Sequence, residues 1–171
     1  MVTSSSLELS LGSRGATRRL GQAIARALEL GDLVVLEGQL GAGKTFLVRA
    51  IARGLGVPTE LRITSPTFDL VHDLPGRLPI LHVDLYRLDT PESVLDLGLQ
   101  DRIGRDCVAL VEWGDRFAVE LGGEGLWVQL GLGGPTARSC RLTPRGERGT
   151  ALLQRVRGQL PASLADPSGQ W

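Results

Sequence analysis

The apolar residues of this chain recur with a period that changes from strand-like to helix-like and back. Leu7, Leu9 and Leu11 alternate with polar residues, as they would on a half-buried strand. Apolar residues then recur every three or four positions, which predicts an amphipathic helix over residues 16–29. Residues 33–36 are all apolar and suit a strand that is buried on both faces. The first 36 residues therefore predict a strand, a helix and a buried strand.

The remainder of the chain continues this alternation. Further strands are predicted at residues 68–72, 79–85, 107–111, 126–130 and 140–142. Further helices are predicted after residue 44, from Pro91, and through residues 152–160. The last two strands flank a glycine-rich turn, which predicts an antiparallel hairpin extending the sheet. We expect residues 1–160 to form one domain and residues 161–171 to form a mobile tail.

Composition narrows the class of protein. A chain of 171 residues can bury a sizeable core as one domain. Its 19 Lys and Arg residues balance 19 Asp and Glu residues, so no large positive field is available to hold DNA or RNA directly. Cys107 and Cys140 form no C-x-x-C pair and are interpreted as reduced core thiols. Because no signal peptide or membrane-length apolar run occurs, we expect a soluble, cytoplasmic protein.

The strand at residues 33–36 leads into a glycine-rich phosphate-binding pattern. Residues 38–45 read GQLGAGKT and match the P-loop pattern G-x-x-x-x-G-K-S/T. The glycines let successive backbone N–H groups point at one phosphate, and Lys44 would reach the β- and γ-phosphates. The hydroxyl of Thr45 would ligate Mg²⁺. The predicted nucleotide ligands in this loop are Gly38, Leu40, Gly41, Ala42, Gly43, Lys44 and Thr45.

A second loop, residues 64–68, carries three hydroxyl side chains around a proline. One interpretation is a turn held by local hydroxyl-to-backbone hydrogen bonds. The other is a switch loop in which Ser65 and Thr67 sense the γ-phosphate or its metal. Spacing alone favours neither.

Two acids stand at the carboxyl ends of predicted strands, where open α/β sheets bind their ligands. Asp84 is predicted to complete the magnesium shell beside Thr45, with a turn cap or a partner of Arg87 as the alternatives. Glu112 is as readily a salt-bridge or cap residue as one that orients the attacking water. His82 is interpreted as an inward, hydrogen-bonded histidine and not as a ligand or base.

Four motifs carry a resemblance to a known family: LEGQLGAGKT, ITSPTFDLVH, LHVDLYRL and VEWGDR. In order and spacing they resemble the TsaE family, formerly called YjeE, over about residues 20–116. These are bacterial P-loop ATPases needed to form threonylcarbamoyladenosine on tRNA. The resemblance implies a P-loop NTPase-like domain with a mixed, mostly parallel sheet flanked by helices. It also implies ATP and Mg²⁺, slow hydrolysis stimulated by partners, and docking onto the TsaB–TsaD heterodimer, through which tRNA is reached.

The resemblance assigns roles to individual residues. Lys44 would bind phosphate and act in catalysis, Thr45 and Asp84 would hold Mg²⁺, and Ser65 and Thr67 would face the γ-phosphate. Glu112 and Trp113 match the family's Glu-Trp pair, which favours Glu112 as the catalytic or nucleotide-sensing residue and Trp113 as a nucleotide contact. The chain departs from the family at Gln39, where an acid is common, at Phe46, where a hydroxyl is common, and at Leu74, where an aromatic is frequent.

Two other functions fit a compact P-loop protein. A small-molecule kinase needs a second substrate pocket and an arginine-bearing lid, for which only Arg102 and Arg105 are available between residues 97 and 107. A nucleotide-gated binding module would bind ATP without significant turnover. For an ATPase, Arg87 and Arg116 are the nearest candidates for an arginine that stabilises the transition state.

Overall fold

A computed structural model of the chain describes residues 6–165. Its strands are β1 (Leu7–Leu11), β2 (Leu33–Glu37), β3 (Val71–Leu74), β4 (Ile80–Asp84), β5 (Val108–Glu112), β6 (Gly125–Leu132) and β7 (Arg138–Arg145). Its helices are α1 (Arg14–Ala27), α2 (Lys44–Gly54), α3 (Pro91–Leu95), α4 (Gly146–Gln159) and α5 (Ala162–Ala165). Two short 3₁₀ segments, Leu99–Asp101 and Asp115–Phe117, precede and follow β5.

All seven strands form one sheet in the order β1-β7-β6-β2-β5-β4-β3. The four central strands β6, β2, β5 and β4 are parallel to one another. The outer pairs β1 with β7, β6 with β7, and β3 with β4 are antiparallel. This confirms the predicted α/β class, the mixed sheet with a parallel centre, and the hairpin of β6 and β7.

Strand β2 lies at the centre of the sheet and is covered on both faces. One face packs against α1, α2 and α4 in a large apolar cluster that includes Leu20, Ile51 and Leu152. The other face packs against residues between β4 and β6, such as Phe117 and Leu121. A strand covered on both faces must be apolar throughout, which is why residues 33–36 show no alternation.

The pairing register brings two carboxyl ends to the same edge of the sheet. Asp84, the last residue of β4, lies opposite Glu112, the last residue of β5. Leu36 of β2 lies opposite the same Glu112. The P-loop follows β2 directly, so both acids that the sequence singled out come next to it, as expected for a ligand site in an open α/β sheet.

Helices α1 and α2 pack closely because glycine stands at their contact. A Cβ added at Gly21 of α1 would lie 3.0 Å from the carbonyl carbon of Ala50 and would overlap its Cβ. Helix α1 begins at a serine cap, since Ser13 Oγ accepts a hydrogen bond of 3.2 Å from the N–H of Ala16. The close contact between α1 and α2 at Gly21 holds α2, and with it the P-loop, against the sheet.

The structure differs from the sequence prediction at two places. The strand predicted at residues 68–72 begins only at Val71, because residues before it turn: the N–H of Leu70 donates to the carbonyl of Pro66 at 2.6 Å, and Leu70 has a φ of 62°. The segment from residue 161, predicted as a mobile tail, starts with helix α5, whose Leu164 is buried. Residues 166–171 of that predicted tail lie outside the described residues.

Among residues 6–165, no helix is long and apolar enough to cross a membrane. Cys107 and Cys140 are both buried and unpaired with each other, as the sequence predicted.

Candidate nucleotide-binding site

The loop between β2 and α2 has the backbone conformation that its glycines permit. Gly38, Gly41 and Gly43 have φ angles of 139°, 81° and 103°, in the region that disfavours residues with a Cβ. At Gly38 a Cβ would also collide with the carbonyl oxygen of Leu130 in β6. The loop is therefore wrapped tightly against the sheet edge, and the glycine spacing in the sequence reflects this geometry.

The loop ends at the N-terminus of α2, where no side chain among residues 6–165 forms a capping hydrogen bond. Gly43 is the capping residue and supplies no side-chain oxygen, and the first turn contains no acid. The first backbone N–H groups of an α-helix have no partner within the helix, and the helix dipole makes this end positive. The uncapped end at Lys44 and Thr45 is therefore suited to a phosphate.

Lys44 is folded back onto its own loop. Its Nζ donates to the carbonyl oxygens of Gly38 at 2.5 Å and Gln39 at 3.0 Å. The same Nζ lies 3.8 Å from the centroid of the Trp113 ring, within cation–π range. Burial lowers the pKa of Lys44, and the nearby Glu112 carboxylate partly offsets this. The ammonium thus lies at the centre of the site, bounded by loop carbonyls and an aromatic face.

Glu112 accepts hydrogen bonds from two side chains. Thr45 Oγ1 lies 2.8 and 3.1 Å from the two carboxylate oxygens, and His82 Nε2 lies 2.8 Å from one of them. Glu112 is only 2% exposed and His82 is fully buried. The acid that contacts the P-loop threonine is therefore Glu112, on the strand next to β2, and not Asp84, which lies one strand further away.

Asp84 contacts the second loop instead. One of its carboxylate oxygens accepts a hydrogen bond from Ser65 Oγ, and the other accepts from the backbone N–H of Tyr86 at 2.9 Å. The hydrogen bond from the Tyr86 N–H is a turn cap, which the sequence analysis gave as an alternative role for Asp84. Arg87 is not its partner, since that guanidinium stacks on the Phe68 ring at 4.6 Å. The link from Asp84 to Ser65 joins the second loop to the sheet.

These groups line one cavity of about 380 Å³. Its walls are formed by Leu40, Gly41, Gly43, Lys44, Thr45, Phe46, Ser65, Thr67, Asp84, Tyr86, Glu112 and Trp113. The structure thus brings together every predicted site residue except Gly38 and Ala42. Gly38 lies behind the loop against Leu130, and the Ala42 side chain is fully buried. A larger cavity, on the face formed by β1, β7 and β6, contains none of the predicted residues.

Two residues near the P-loop, Tyr86 and Arg138, were not predicted from the sequence as part of the site. Tyr86 stacks on Trp113 with ring centroids 4.9 Å apart, and its position two residues after Asp84 is a signal that the sequence did contain. Arg138 donates from Nε to the carbonyl of Ala42 at 2.8 Å and so ties the β6–β7 turn to the P-loop. No local pattern marks Arg138, because it is 94 residues from Lys44 in sequence and only the sheet order brings it there.

Trp113 has a φ of 61°, an unusual angle for a large side chain. Its backbone N–H donates to the carbonyl of Leu36 at 3.0 Å, which continues the pairing of β5 with β2 past Glu112. Such a conformation costs on the order of 1–3 kcal/mol and persists where surrounding contacts impose it. Here it places the indole beside the Lys44 ammonium at the cavity wall, with part of the ring packed against the apolar core.

The oxygen ligands of this cavity suit Mg²⁺. Thr45 offers a hydroxyl and Asp84 a carboxylate, both hard oxygen donors at the wall of the same cavity. Among residues 6–165, no group of three or more His, Cys, Asp or Glu side chains is placed to hold a metal ion. Mg²⁺ commonly binds through one or two protein oxygens together with phosphate and water oxygens.

Comparison with known proteins identifies the family. A sequence profile described as "Threonylcarbamoyl adenosine biosynthesis protein TsaE" matches residues 11–135, which include every residue of the cavity. The chain belongs to the TsaE family. The predicted resemblance is therefore confirmed.

Individual relatives agree with this assignment. The chain is 47% identical over 105 residues to a protein of Treponema pallidum named tRNA threonylcarbamoyladenosine biosynthesis protein TsaE, covering 61% of this chain and 76% of the relative. A Streptomyces coelicolor protein of the same name is 42% identical over 139 residues, covering 77% and 92%. The crystal structure of Bacillus subtilis YdiB superposes with a TM-score of 0.75 at 27% identity, covering 89% of this chain and 94% of the other.

Proposed function

We propose that this chain is a magnesium-dependent ATPase that hydrolyses ATP slowly and acts in the formation of threonylcarbamoyladenosine on tRNA. The biosynthetic role follows from membership of the TsaE family. One observation carries the enzymatic part: Glu112 accepts a hydrogen bond from the P-loop Thr45 in a cavity that also holds Lys44. A P-loop, its hydroxyl residue and an acid on the adjacent strand are the parts with which such proteins bind and cleave a nucleoside triphosphate.

The phosphate-binding, metal-binding and polar groups of the cavity are assigned these roles in the reaction. The N–H groups at the start of α2 and the ammonium of Lys44 bind the β- and γ-phosphates, and Trp113 packs beside them. Thr45 and Asp84 would hold Mg²⁺, which when bound neutralises charge on these phosphates. Ser65 and Thr67 face the γ-phosphate from the second loop.

Glu112 is an acceptor at the cavity wall and is proposed to orient the attacking water. The water oxygen bonds to the γ-phosphorus as the bond from that phosphorus to the bridging oxygen breaks, which releases ADP and phosphate. Holding the water in line with the breaking bond contributes to this reaction together with stabilisation of the phosphate charge.

The site is proposed to be slow by itself because none of the described residues that line its cavity is an arginine. Arg138 lies beside the P-loop, but its guanidinium donates to the carbonyls of Ala42 and Gly41. Arg87 stacks on Phe68, and Arg116 donates to the carbonyl of Leu88 at 2.9 Å. A positive group supplied by a partner commonly accelerates such sites by several orders of magnitude. We propose the TsaB–TsaD heterodimer as this partner, with tRNA reached through it since the chain has no net charge.

The test is ATP hydrolysis by the purified chain with and without the TsaB–TsaD pair. We expect slow hydrolysis alone, stimulation by the pair, and loss of both in Lys44→Ala, Asp84→Ala and Glu112→Ala. Glu60→Ala, which removes an exposed acid outside the cavity, is the matched control and should behave as the native chain. Phosphorylation of a small metabolite without any response to the pair would replace this proposal by a kinase. Tight ATP binding with a rate unaffected by Glu112→Ala would indicate a binding module.

A further inference from the structure

Within residues 6–165, the side chain of the buried histidine on β4, His82, makes one hydrogen bond, and its partner is Glu112. His82 has no exposed surface, and its Nε2 lies 2.8 Å from Glu112 Oε1. In the register of β4 and β5, His82 lies opposite Leu110 and Asp84 lies opposite Glu112. His82 and Glu112 are thus diagonal neighbours on the same face of the sheet, close enough for long side chains to meet.

The other ring nitrogen of His82 has no hydrogen-bond partner in the part of the chain that the structure describes. Nδ1 is buried and finds no hydrogen-bonding group among the described residues. A proton on Nδ1 would therefore be a buried donor without an acceptor, which is costly. A proton on Nε2 meets a carboxylate oxygen. The surroundings consequently favour the form of the ring that donates from Nε2 to Glu112.

Glu112 is consequently held from two sides. Thr45 Oγ1 contacts both carboxylate oxygens from the P-loop side, and His82 contacts Oε1 from inside the sheet. The χ3 angle of a glutamate has a broad distribution, so a carboxylate with a single hydrogen-bond partner can rotate about it. With two donors in fixed positions, the carboxylate plane is defined relative to Thr45 and the cavity.

We infer that His82 is a positioning residue that fixes the orientation of the Glu112 carboxylate for the reaction at the P-loop. His82 lines no part of the cavity, so it acts through Glu112 and not on the nucleotide. The inference rests on the proposed ATPase function. It adds a residue that supports the acid, in the way that a buried partner orients a metal-binding or catalytic side chain in many sites.

The activity test compares His82→Leu with His82→Gln. Leucine removes the donor, whereas the amide nitrogen of glutamine reaches the position of Nε2. We expect His82→Leu to lower kcat for ATP hydrolysis on the order of tenfold, with KM for ATP within about twofold, and His82→Gln to recover most of the loss. In a Glu112→Gln background, His82→Leu should have no further effect. His72→Leu, which changes the other histidine at a partly exposed position on β3, is the control and should leave kcat unchanged.

A spectroscopic test needs no activity. Nitrogen-15 NMR of the native imidazole should show the His82 proton on Nε2, and Glu112→Gln should shift that nitrogen while leaving His72 in place. A His82 proton on Nδ1 would overturn the inference, as would a His82→Leu variant that folds and keeps the native kcat. If Glu112→Gln itself leaves hydrolysis unchanged, the proposed role of Glu112 fails, and the NMR result still decides whether His82 orients it.

Discussion

The change Glu112→Gln tests the contacts that Glu112 makes with Thr45 and His82. It alters the charge and the hydrogen bonding of the side chain while keeping the shape of that side chain. Glu112 accepts from Thr45 and from His82. Glutamine keeps one acceptor oxygen and replaces the other with an NH₂ donor. His82 Nε2 would donate to that oxygen, since a ring proton moved to the buried Nδ1 would find no acceptor among the described residues. The NH₂ group would then face Thr45, whose hydroxyl can rotate and accept.

The magnitudes separate the effect on folding from the effect on activity. Two hydrogen bonds to a charged acceptor become neutral ones, a loss of about 1 kcal/mol each. Burying a neutral amide in place of a carboxylate offsets part of this. We therefore expect the free energy of unfolding to change by only about 1–2 kcal/mol. The Thr45 hydroxyl, however, now points its hydrogen towards the cavity, and the water-orienting acceptor is gone, which should lower the hydrolysis rate about 100-fold or more.

The assays are urea unfolding and single-turnover hydrolysis of ATP at saturating Mg²⁺. Glu60→Gln, an exposed change of the same chemistry, is the control and should match the native chain in both. A Glu112→Gln rate within about threefold of native would refute the role given to this acid. A loss of stability well above 3 kcal/mol would show instead that the carboxylate serves mainly to hold the fold.

Three further results are expected. Arg155→Met should lower the free energy of unfolding by about 2–3 kcal/mol in urea titrations, because it leaves the buried Asp32, 2.6 Å from that guanidinium, without a charged partner; equal stability would contradict this. Burial raises the pKa of Cys140 to about 12, so the folded chain keeps a proton that an exposed thiol loses above about pH 8.5. Native stability should then fall between pH 8.5 and pH 10 by about 2 kcal/mol more than that of Cys140→Ala, and parallel pH curves would refute this. Gly38→Ala, whose new methyl meets the Leu130 carbonyl, should abolish nucleotide binding measured by calorimetry; unchanged affinity would show that the loop tolerates a Cβ there.

Local patterns account for the elements and for the loop. The apolar period places β1, β2, β5 and the hairpin, because a strand's exposure is visible in its own residues. The P-loop is predictable for a similar reason: three positive φ angles within six residues require glycine, and the lysine and hydroxyl follow at once. Where a local bend interrupts a favourable pattern, as at Leu70, the periodicity misplaces the strand by three residues.

Which acid contacts the P-loop hydroxyl could not be predicted in the same way. Asp84 and Glu112 both end apolar strands, and their sequence patterns are nearly equivalent. The difference arises because β5 lies between β2 and β4, so that Glu112 reaches Thr45 and Asp84 reaches Ser65. Strand order is set by the packing of helices and connections across the whole domain, which no single segment contains.

The sequence by itself thus determined the class of fold, the phosphate loop and the identities of the chemical groups, since each depends on residues close together in the chain. Only the tertiary structure decided which of these groups contact each other. Glu112 contacts Thr45 and His82, Asp84 contacts Ser65, and the Trp113 ring lies against Lys44. The physical reason is that hydrogen bonds and ring contacts depend on distances of a few ångströms between strands. Those distances follow from the order and register of the strands in the sheet. Order and register are determined jointly by residues that lie far apart in the chain.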